Sequence, residues 1–331
     1  MRTLRLRVFQ MFAAAIAACV PWSVSDSLAQ NYPVKEIRMI VGFSPGGGTD
    51  TAARLLAKGL SAAENLGQPV IIENRPGAGG AIAGELVAKA PADGYTLLMM
   101  ASAATIQPAL GAKLPYDVER DFAPVSFVGK TPFVLAVHPS VPVRDVKQLI
   151  ALARSRPGEL SYGTSGLGSP AHLMSELFNS MAKVKITAVP YKGSAQFAIA
   201  VASGEIHMSF VSTPAAKALL AGGKIRALAV STAKRSPLLP SIPSIDESAL
   251  PGYDMLGSWF GVVAPAGVPK NIITRLSTVI GKVLNAPQMK DALNKQGIEP
   301  QPNTPEQFAA LIHNEIALNT KLIQSTGIKA R

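Results

Sequence analysis

The chain has 331 residues, 48% of them hydrophobic, a formal net charge of +11 and a single cysteine. That length is more than one core usually serves, so two domains are expected, and one cysteine excludes a disulfide-stapled scaffold. The basic residues are scattered (Lys35, Arg38, Arg54, Lys58, Lys89, Lys113, Lys147, Arg154) with no interleaved aromatics and no zinc or helix-turn-helix signature. This argues against nucleic acid as a partner and leaves mild steering of anionic ligands.

Residues 1–29 read as a signal peptide. Arg2, Arg5 and Arg7 form a basic start, Val8 to Val20 is mostly apolar, and Ser27-Leu28-Ala29 supplies a small-x-small cleavage site. The apolar run is too short for a comfortable membrane span. Ile16-Ala17-Ala18-Cys19 also fits the pattern that precedes a lipidated cysteine, although a cysteine in such a run also serves as a plain apolar residue. Both readings place the mature protein in the periplasm, anchored or free.

Downstream, apolar runs alternate with periodic ones. Glu36 to Phe43 predicts a strand, and Thr49 to Glu64 a helix with Ala52, Leu55, Leu56 and Leu60 on one face. Pro69–Glu73 and Tyr95–Met100 predict further strands around a helix at Ala81–Ala90. After an extended stretch, Phe122–Val137, the alternation resumes: helix Val143–Arg154, strand Leu160–Gly163, helix Pro170–Met181, strand Ile186–Tyr191, helix Ala195–Ser203. Strand Ile206–Val211, helix Pro214–Ala221 and strand Ile225–Ser231 complete this block. A proline- and serine-rich passage, Pro237–Pro251, precedes a second extended run, Met255–Val263. Helices are expected at Lys270–Leu284, Pro287–Lys295 and Pro305–Thr326. The rhythm predicts βαβ units and mostly parallel sheets. The two extended runs suit crossovers between two lobes, with the C-terminal helices completing the first.

Two glycine-rich turns, Ser44-Pro45-Gly46-Gly47-Gly48-Thr49-Asp50 and Arg75-Pro76-Gly77-Ala78-Gly79-Gly80, each join a strand-like run to a helix-like one. Bare N–H groups at a helix start, reinforced by the helix dipole, make a seat for a small anion. Thr49 and Asp50 are candidate caps; the Thr49 hydroxyl can also donate to an anion, which Asp50 would repel. Ser169 followed by Pro170 is a good N-cap. His172, with His138, His207 and His313, gives no metal spacing, so packing or a hydrogen bond at a helix start is its expected role. Phe43 and Trp259 suit either stacking on a ligand body or the core, and Lys192 either a second carboxylate or solvent.

In order along the chain, Ile40-Val41-Gly42-Phe43-Ser44-Pro45-Gly46-Gly47-Gly48-Thr49-Asp50, Glu73-Asn74-Arg75-Pro76-Gly77-Ala78-Gly79-Gly80 and Pro91-Ala92-Asp93-Gly94-Tyr95-Thr96 resemble the Bug family. These are the solute receptors of tripartite tricarboxylate transporters. Leu114-Pro115-Tyr116-Asp117, His138-Pro139-Ser140, Pro190-Tyr191-Lys192-Gly193, Arg226-Ala227-Leu228-Ala229-Val230 and Trp259-Phe260-Gly261-Val262-Val263-Ala264-Pro265-Ala266-Gly267 continue the likeness. The resemblance implies an α/β, two-lobed periplasmic binding protein of type II-like form, each lobe a mixed, mostly parallel sheet flanked by helices. The first lobe would run over 30–130 and 253–331, the second over 131–252. A small di- or tricarboxylate or aromatic acid would sit in the interlobe cleft, membrane permease subunits would be the partner, and the receptor would be a monomer without cofactor or metal. The implied contacts are Phe43, Ser44, Gly46, Gly47, Thr49, Asp50, Ala78, Gly80 and Ser102 from one lobe. Thr164, Ser165, Gly166, Ser169, His172, Lys192, Ser212 and Thr213 would come from the other. Relatives often carry an acid or amide where this chain has Val211-Ser212-Thr213, so no carboxylate is offered there to a ligand ammonium.

The alternative is a periplasmic hydrolase or other enzyme acting on a small carboxylate. Gly163-Thr164-Ser165-Gly166-Leu167 misses the last glycine of a nucleophile elbow, and Gly46-Gly47-Gly48-Thr49 is neither a phosphate loop nor a dinucleotide fingerprint. A non-catalytic receptor is the expected class.

Overall fold

A computed structural model describes residues 32–326, except 63 and 256, together with residue 328. The leader, its cleavage site after Ala29 and the Cys19 motif lie outside the described residues. In order, the elements are β1 (Ile37–Val41), α1 (Gly48–Leu60), β2 (Val70–Asn74), a 3-10 turn (Ala78–Gly80), α2 (Ala81–Ala88), β3 (Thr96–Ala101), α3 (Ala103–Ala109), β4 (Phe122–Thr131) and β5 (Phe133–Val137). Next come α4 (Val146–Ser155), β6 (Ser161–Thr164), α5 (Pro170–Ala182), β7 (Thr187–Pro190), α6 (Ser194–Ser203), β8 (Met208–Ser212), α7 (Thr213–Ala221) and β9 (Arg226–Val230). The chain ends with α8 (Ile245–Ser248), β10 (Ser258–Pro265), α9 (Lys270–Asn285), α10 (Pro287–Lys295), β11 (Glu299–Pro300) and α11 (Pro305–Thr326).

Among the described residues these strands build two mixed sheets, one ordered β11-β4-β10-β3-β1-β2 and the other β7-β6-β8-β5-β9. The βαβ rhythm yields the parallel pairs, β1 with β2 and β3, and β6 with β7 and β8. The antiparallel pairs centre on β10 and β5. These strands come from the two extended runs, so the sheets are more evenly mixed than the βαβ pattern alone foretells.

Those same runs carry the chain between the sheets. β4 and β5 are one extended stretch broken at Pro132, with β4 in the first sheet and β5 in the second; proline lacks the N–H that a central ladder needs. The return ends at Gly257, whose φ of +97° is a left-handed conformation that favours glycine. A Cβ on Gly257 would strike the Thr131 carbonyl, so the two crossings lie against each other.

Each sheet has its own core. Ile40, Leu98, Met100, Phe127, Trp259 and Phe308 belong to one cluster, and Leu135, Tyr162, Phe178, Phe197, Phe210 and Tyr253 to the other. Trp259 is therefore a core residue, its ring meeting Phe308 edge-on at 5.7 Å. The expected helices bury apolar stripes: α1 buries Ala52, Ala53, Leu56 and Leu60, and α9 buries Ile272, Ile273, Leu276, Ile280 and Val283. α11 bridges both, with Phe308 and Ile312 in the first cluster and Ile323 in the second. No helix among the described residues is long and apolar enough to cross a membrane.

Candidate functional site

The turn after β1 is set by backbone conformation and by a buried acid. Gly46 has φ +83°, open to glycine at little strain, and its N–H donates to Asp50 Oδ2 at 3.0 Å. Gly47, rather than Thr49 or Asp50, occupies the N-cap of α1, with no side-chain cap. Asp50 instead reaches back from the first turn. Its carboxylate also accepts from Arg54 Nε at 2.9 Å and Asn74 Nδ2 at 2.9 Å, while Asn74 Nδ2 lies 3.0 Å from the Phe43 carbonyl, to which it also donates. Burial pushes the Asp50 carboxyl up, but the bonds from Arg54, Gly46 and Asn74 and the Arg54 charge outweigh it and hold the group below its ordinary value. Asp50 is thus an ionised brace behind the turn, its oxygens engaged by the protein.

The second glycine turn lies against the first. Ala78 and Gly80 both take positive φ, +47° and +99°; the Ala78 carbonyl accepts from Gln107 Nε2 at 2.9 Å. A Cβ on Gly80 would stand 3.4 Å from Cζ of Phe43, so the aromatic ring rests on this bare backbone. Ser102 Oγ is bonded to Ser258 Oγ at 3.0 Å.

The opposite lobe uses hydroxyls where the first uses a carboxylate. Thr164 Oγ1 lies 2.7 Å from Ser169 Oγ and donates to the Gly166 carbonyl at 3.1 Å. Ser169 caps α5, accepting from the His172 N–H, with Pro170 following as expected. Gly166 approaches the second glycine turn, 3.5 Å separating its Cβ position from the Gly79 nitrogen. His172 is buried and its Nδ1 has no hydrogen-bond partner; burial pulls its pKa down against the opposing charge of Glu176. Ser212 donates from both N and Oγ to Ser194 Oγ, each at 3.0 Å. Thr213 Oγ1 donates at 2.8 Å to the Pro132 carbonyl at the crossing. The Lys192 side chain is exposed, but its carbonyl accepts from the Ser44 N–H at 3.1 Å, a bond from lobe to lobe. Ser44 Oγ is buried there without a partner.

Between the lobes lies a narrow cleft with about 30 Å³ of free space. The first lobe lines it with Phe43, Gly47, Gly48, Thr49, Ala101, Ser258 and Phe260. The second contributes Phe133, Ser165, Pro170, Ala171, Ser194, Phe197 and Ser212. Of the expected contacts, Phe43, Gly47, Thr49, Ser165 and Ser212 thus meet on its wall. The rest stand beside it, behind it or at the crossing, as described above. Sequence reasoning passed over Gly48, Ser194, Ser258 and the phenylalanines at 133, 197 and 260. Ser194 had a signal, since Lys192-Gly193-Ser194 is another glycine entry to a helix. The phenylalanines had none, because a phenylalanine in a strand (133 and 260) or on a helix (197) reads as core.

Four helices begin on this wall: α1 at Gly48, α5 at Pro170, α6 at Ser194 and α7 just after Ser212. First-turn N–H groups have no intrahelical acceptor, and each helix start carries partial positive charge. Among the described residues no charged side chain lines the cleft. Its polarity is therefore that of a site for an anion built from main chain and hydroxyls, with aromatic rings around the rest.

Two mixed-sheet lobes with such a cleft are the architecture of periplasmic solute-binding proteins. The chain belongs to the tripartite tricarboxylate transporter receptor family, whose model matches residues 52–328. It is 37% identical over 328 residues to Protein BugT of Bordetella pertussis, covering 98% of each chain. The structure of R. palustris Rpa4515 with adipate is similar at a TM-score of 0.86 and 42% identity, covering 90% of this chain and 99% of that one. MatC (Rpa3494) from Rhodopseudomonas palustris with bound malate superimposes at 0.83 with 31% identity, over 88% and 100%. The resemblance to the Bug family carried by the sequence motifs holds over the whole fold.

Proposed function

We propose that this receptor holds a small carboxylate in the interlobe cleft and presents it to the permease subunits of a tripartite transporter. The observation that carries the reading is the meeting of four helix starts and the hydroxyls of Thr49, Ser165, Ser194, Ser212 and Ser258 on a wall without charged side chains. Relatives solved with adipate and with malate support a carboxylate ligand. Hydrogen bonds to a charged group contribute about 1.5–3 kcal/mol each, so three or four supply most of the roughly −8 kcal/mol of a micromolar complex before ordering costs. Phe43, Ser44, Gly46, Gly47, Thr49, Ala78, Gly80 and Ser102 form the first-lobe side of this site, with Asp50 as its brace. Thr164, Ser165, Gly166, Ser169, His172, Lys192, Ser212 and Thr213 form the other side.

The lobes divide near 130 and 253, with Tyr253 and Met255 still packed in the second core, and close by rotation about the paired crossings at Pro132 and Gly257. The protein works in the periplasm after removal of residues 1–29, as a monomer and without catalysis. A nucleophile would need a base beside it, whereas Ser194 Oγ is held by the N–H and hydroxyl of Ser212.

Thermal-shift screening against di- and tricarboxylates, aromatic acids, sugars and cations tests the proposal, because a ligand stabilises the state that binds it. Carboxylates are expected to raise Tm and to be recovered unchanged after incubation. Shifts confined to sugars or cations, or turnover of a bound acid, would defeat it.

A further inference from the structure

Ser194 stands at the first position of α6 and on the cleft wall. Its hydroxyl oxygen accepts twice from Ser212, once from the main-chain N–H and once from the hydroxyl, each at 3.0 Å. A serine oxygen has two lone pairs and one proton. Both lone pairs are therefore occupied, and only the proton is left to offer a ligand. Among the described residues no acceptor takes that proton. The arrangement is held by main chain: Ser212 ends β8 and caps α7, and the next N–H, of Thr213, donates to the Pro132 carbonyl at 3.3 Å. An N–H cannot turn round to accept, so the Ser212 N–H fixes the sense of the contact and the Ser212 hydroxyl closes the remaining lone pair.

Across the cleft lies Gly47, the N-cap of α1, and the place its Cβ would take is 3.8 Å from Ser194 Cβ and 3.9 Å from Ser194 N. Ser194 thus stands against the start of α1. Its own N–H, in the first turn of α6, has no acceptor within that helix. Hydroxyl and N–H make Ser194 a donor twice over, with no side-chain lone pair left to accept. We infer that Ser194, locked as a donor by Ser212, is a specificity-determining residue that selects ionised acids over their amides. A carboxylate has two oxygens that only accept, so it satisfies Ser194 in either orientation. An amide does so in one orientation; in the other its N–H meets a donor, and both groups are left unbonded once water is gone.

This inference rests on the carboxylate-receptor reading above, and the test separates the two. Calorimetric affinities would be measured for adipate, malate and any further acid that the thermal-shift screen brings out. Each acid would be paired with the compound in which every carboxyl group is an amide, so that either end presents the amide to Ser194. The proteins are the unaltered receptor, Ser212→Ala and Ser194→Ala. Ser212→Ala keeps the Ser194 hydroxyl but frees one of its lone pairs, so the ratio of acid to amide affinity should fall about fivefold through a gain by the amide. Ser194→Ala removes the hydroxyl donor, so the acid should weaken about tenfold and the amide much less. One variant acts on the amide and the other on the acid, whereas a fold defect would weaken both ligands together. An amide that gains nothing on its acid in Ser212→Ala, or an acid untouched by Ser194→Ala, would overturn the donor lock. Failure of the unaltered receptor to bind any acid would instead remove the receptor reading beneath it.

Discussion

The two sides of the cleft present helix starts to the same space but hold them differently. On the first lobe, the turn at Ser44–Asp50 is fixed by an ionised carboxylate that gathers the Gly46 N–H, Arg54 and Asn74. On the second, the turn at Thr164–Ser169 is fixed by two hydroxyls and a serine cap. A carboxylate brace holds several donors at once but ties the turn to charge and pH. A hydroxyl brace is weaker and indifferent to both. The anion-binding property is common to the two; what differs is how each scaffold should fail.

The sharpest way to break this contrast is Asp50→Ala. Removing a buried carboxylate that organises several donors is expected to cost about 2 kcal/mol through the donors left unmatched, since Arg54 stays half exposed; this reads as a lower urea midpoint, together with at least a tenfold loss of ligand affinity. An effect no larger than that of Ser169→Ala would mean the two braces are equivalent. The glycines refine the point. Gly46→Ala places a Cβ at φ +83° and should destabilise by about 1–2 kcal/mol. Gly47 lies at φ −81°, with its Cβ position 3.8 Å from Ser194 Cβ, so Gly47→Ala should leave stability within about 0.5 kcal/mol while weakening ligand binding on the cleft wall.

Acid should also separate the lobes. His172 has a folded pKa depressed by burial from 6.5, so the unfolded chain takes up a proton first as pH falls below that value. Its stabilising contribution is present above 6.5 and declines through the acid range, with a slope of up to about 1.4 kcal/mol per pH unit. Asp50 has a folded pKa held below 3.8; its contribution stays intact until pH falls under 3.8 and is lost as the folded group itself protonates. Hydrogen exchange between pH 7 and pH 3 should show α5 loosening before α1, and His172→Leu should erase only the earlier phase. Simultaneous loosening would contradict the assignment of the two groups. Ser169→Ala should cost about 1 kcal/mol for a lost N-cap, measured by urea unfolding and insensitive to pH.

Much of the fold was legible because its signals are local. Apolar stripes marked α1 and α9, and the pair Ser169-Pro170 marked the start of α5. α3 was missed because Ala103–Ala109 contains Pro108 and has no one-sided stripe. The extended run Phe122–Val137 was legible as strand, but its division between two sheets at Pro132 was not, since a strand's partners are absent from its own sequence.

The same boundary runs through the site. Sequence by itself determined that helices begin after glycine-rich turns, because positive φ, caps and unpaired N–H groups are properties of a few adjacent residues. Only the tertiary structure decided that four such starts face one space, that Asp50 turns inward to Arg54 and Asn74, and that Phe43 rests on Gly80 at the cleft wall. Those facts depend on where two crossings bring distant segments together, and on which atoms burial leaves without a partner.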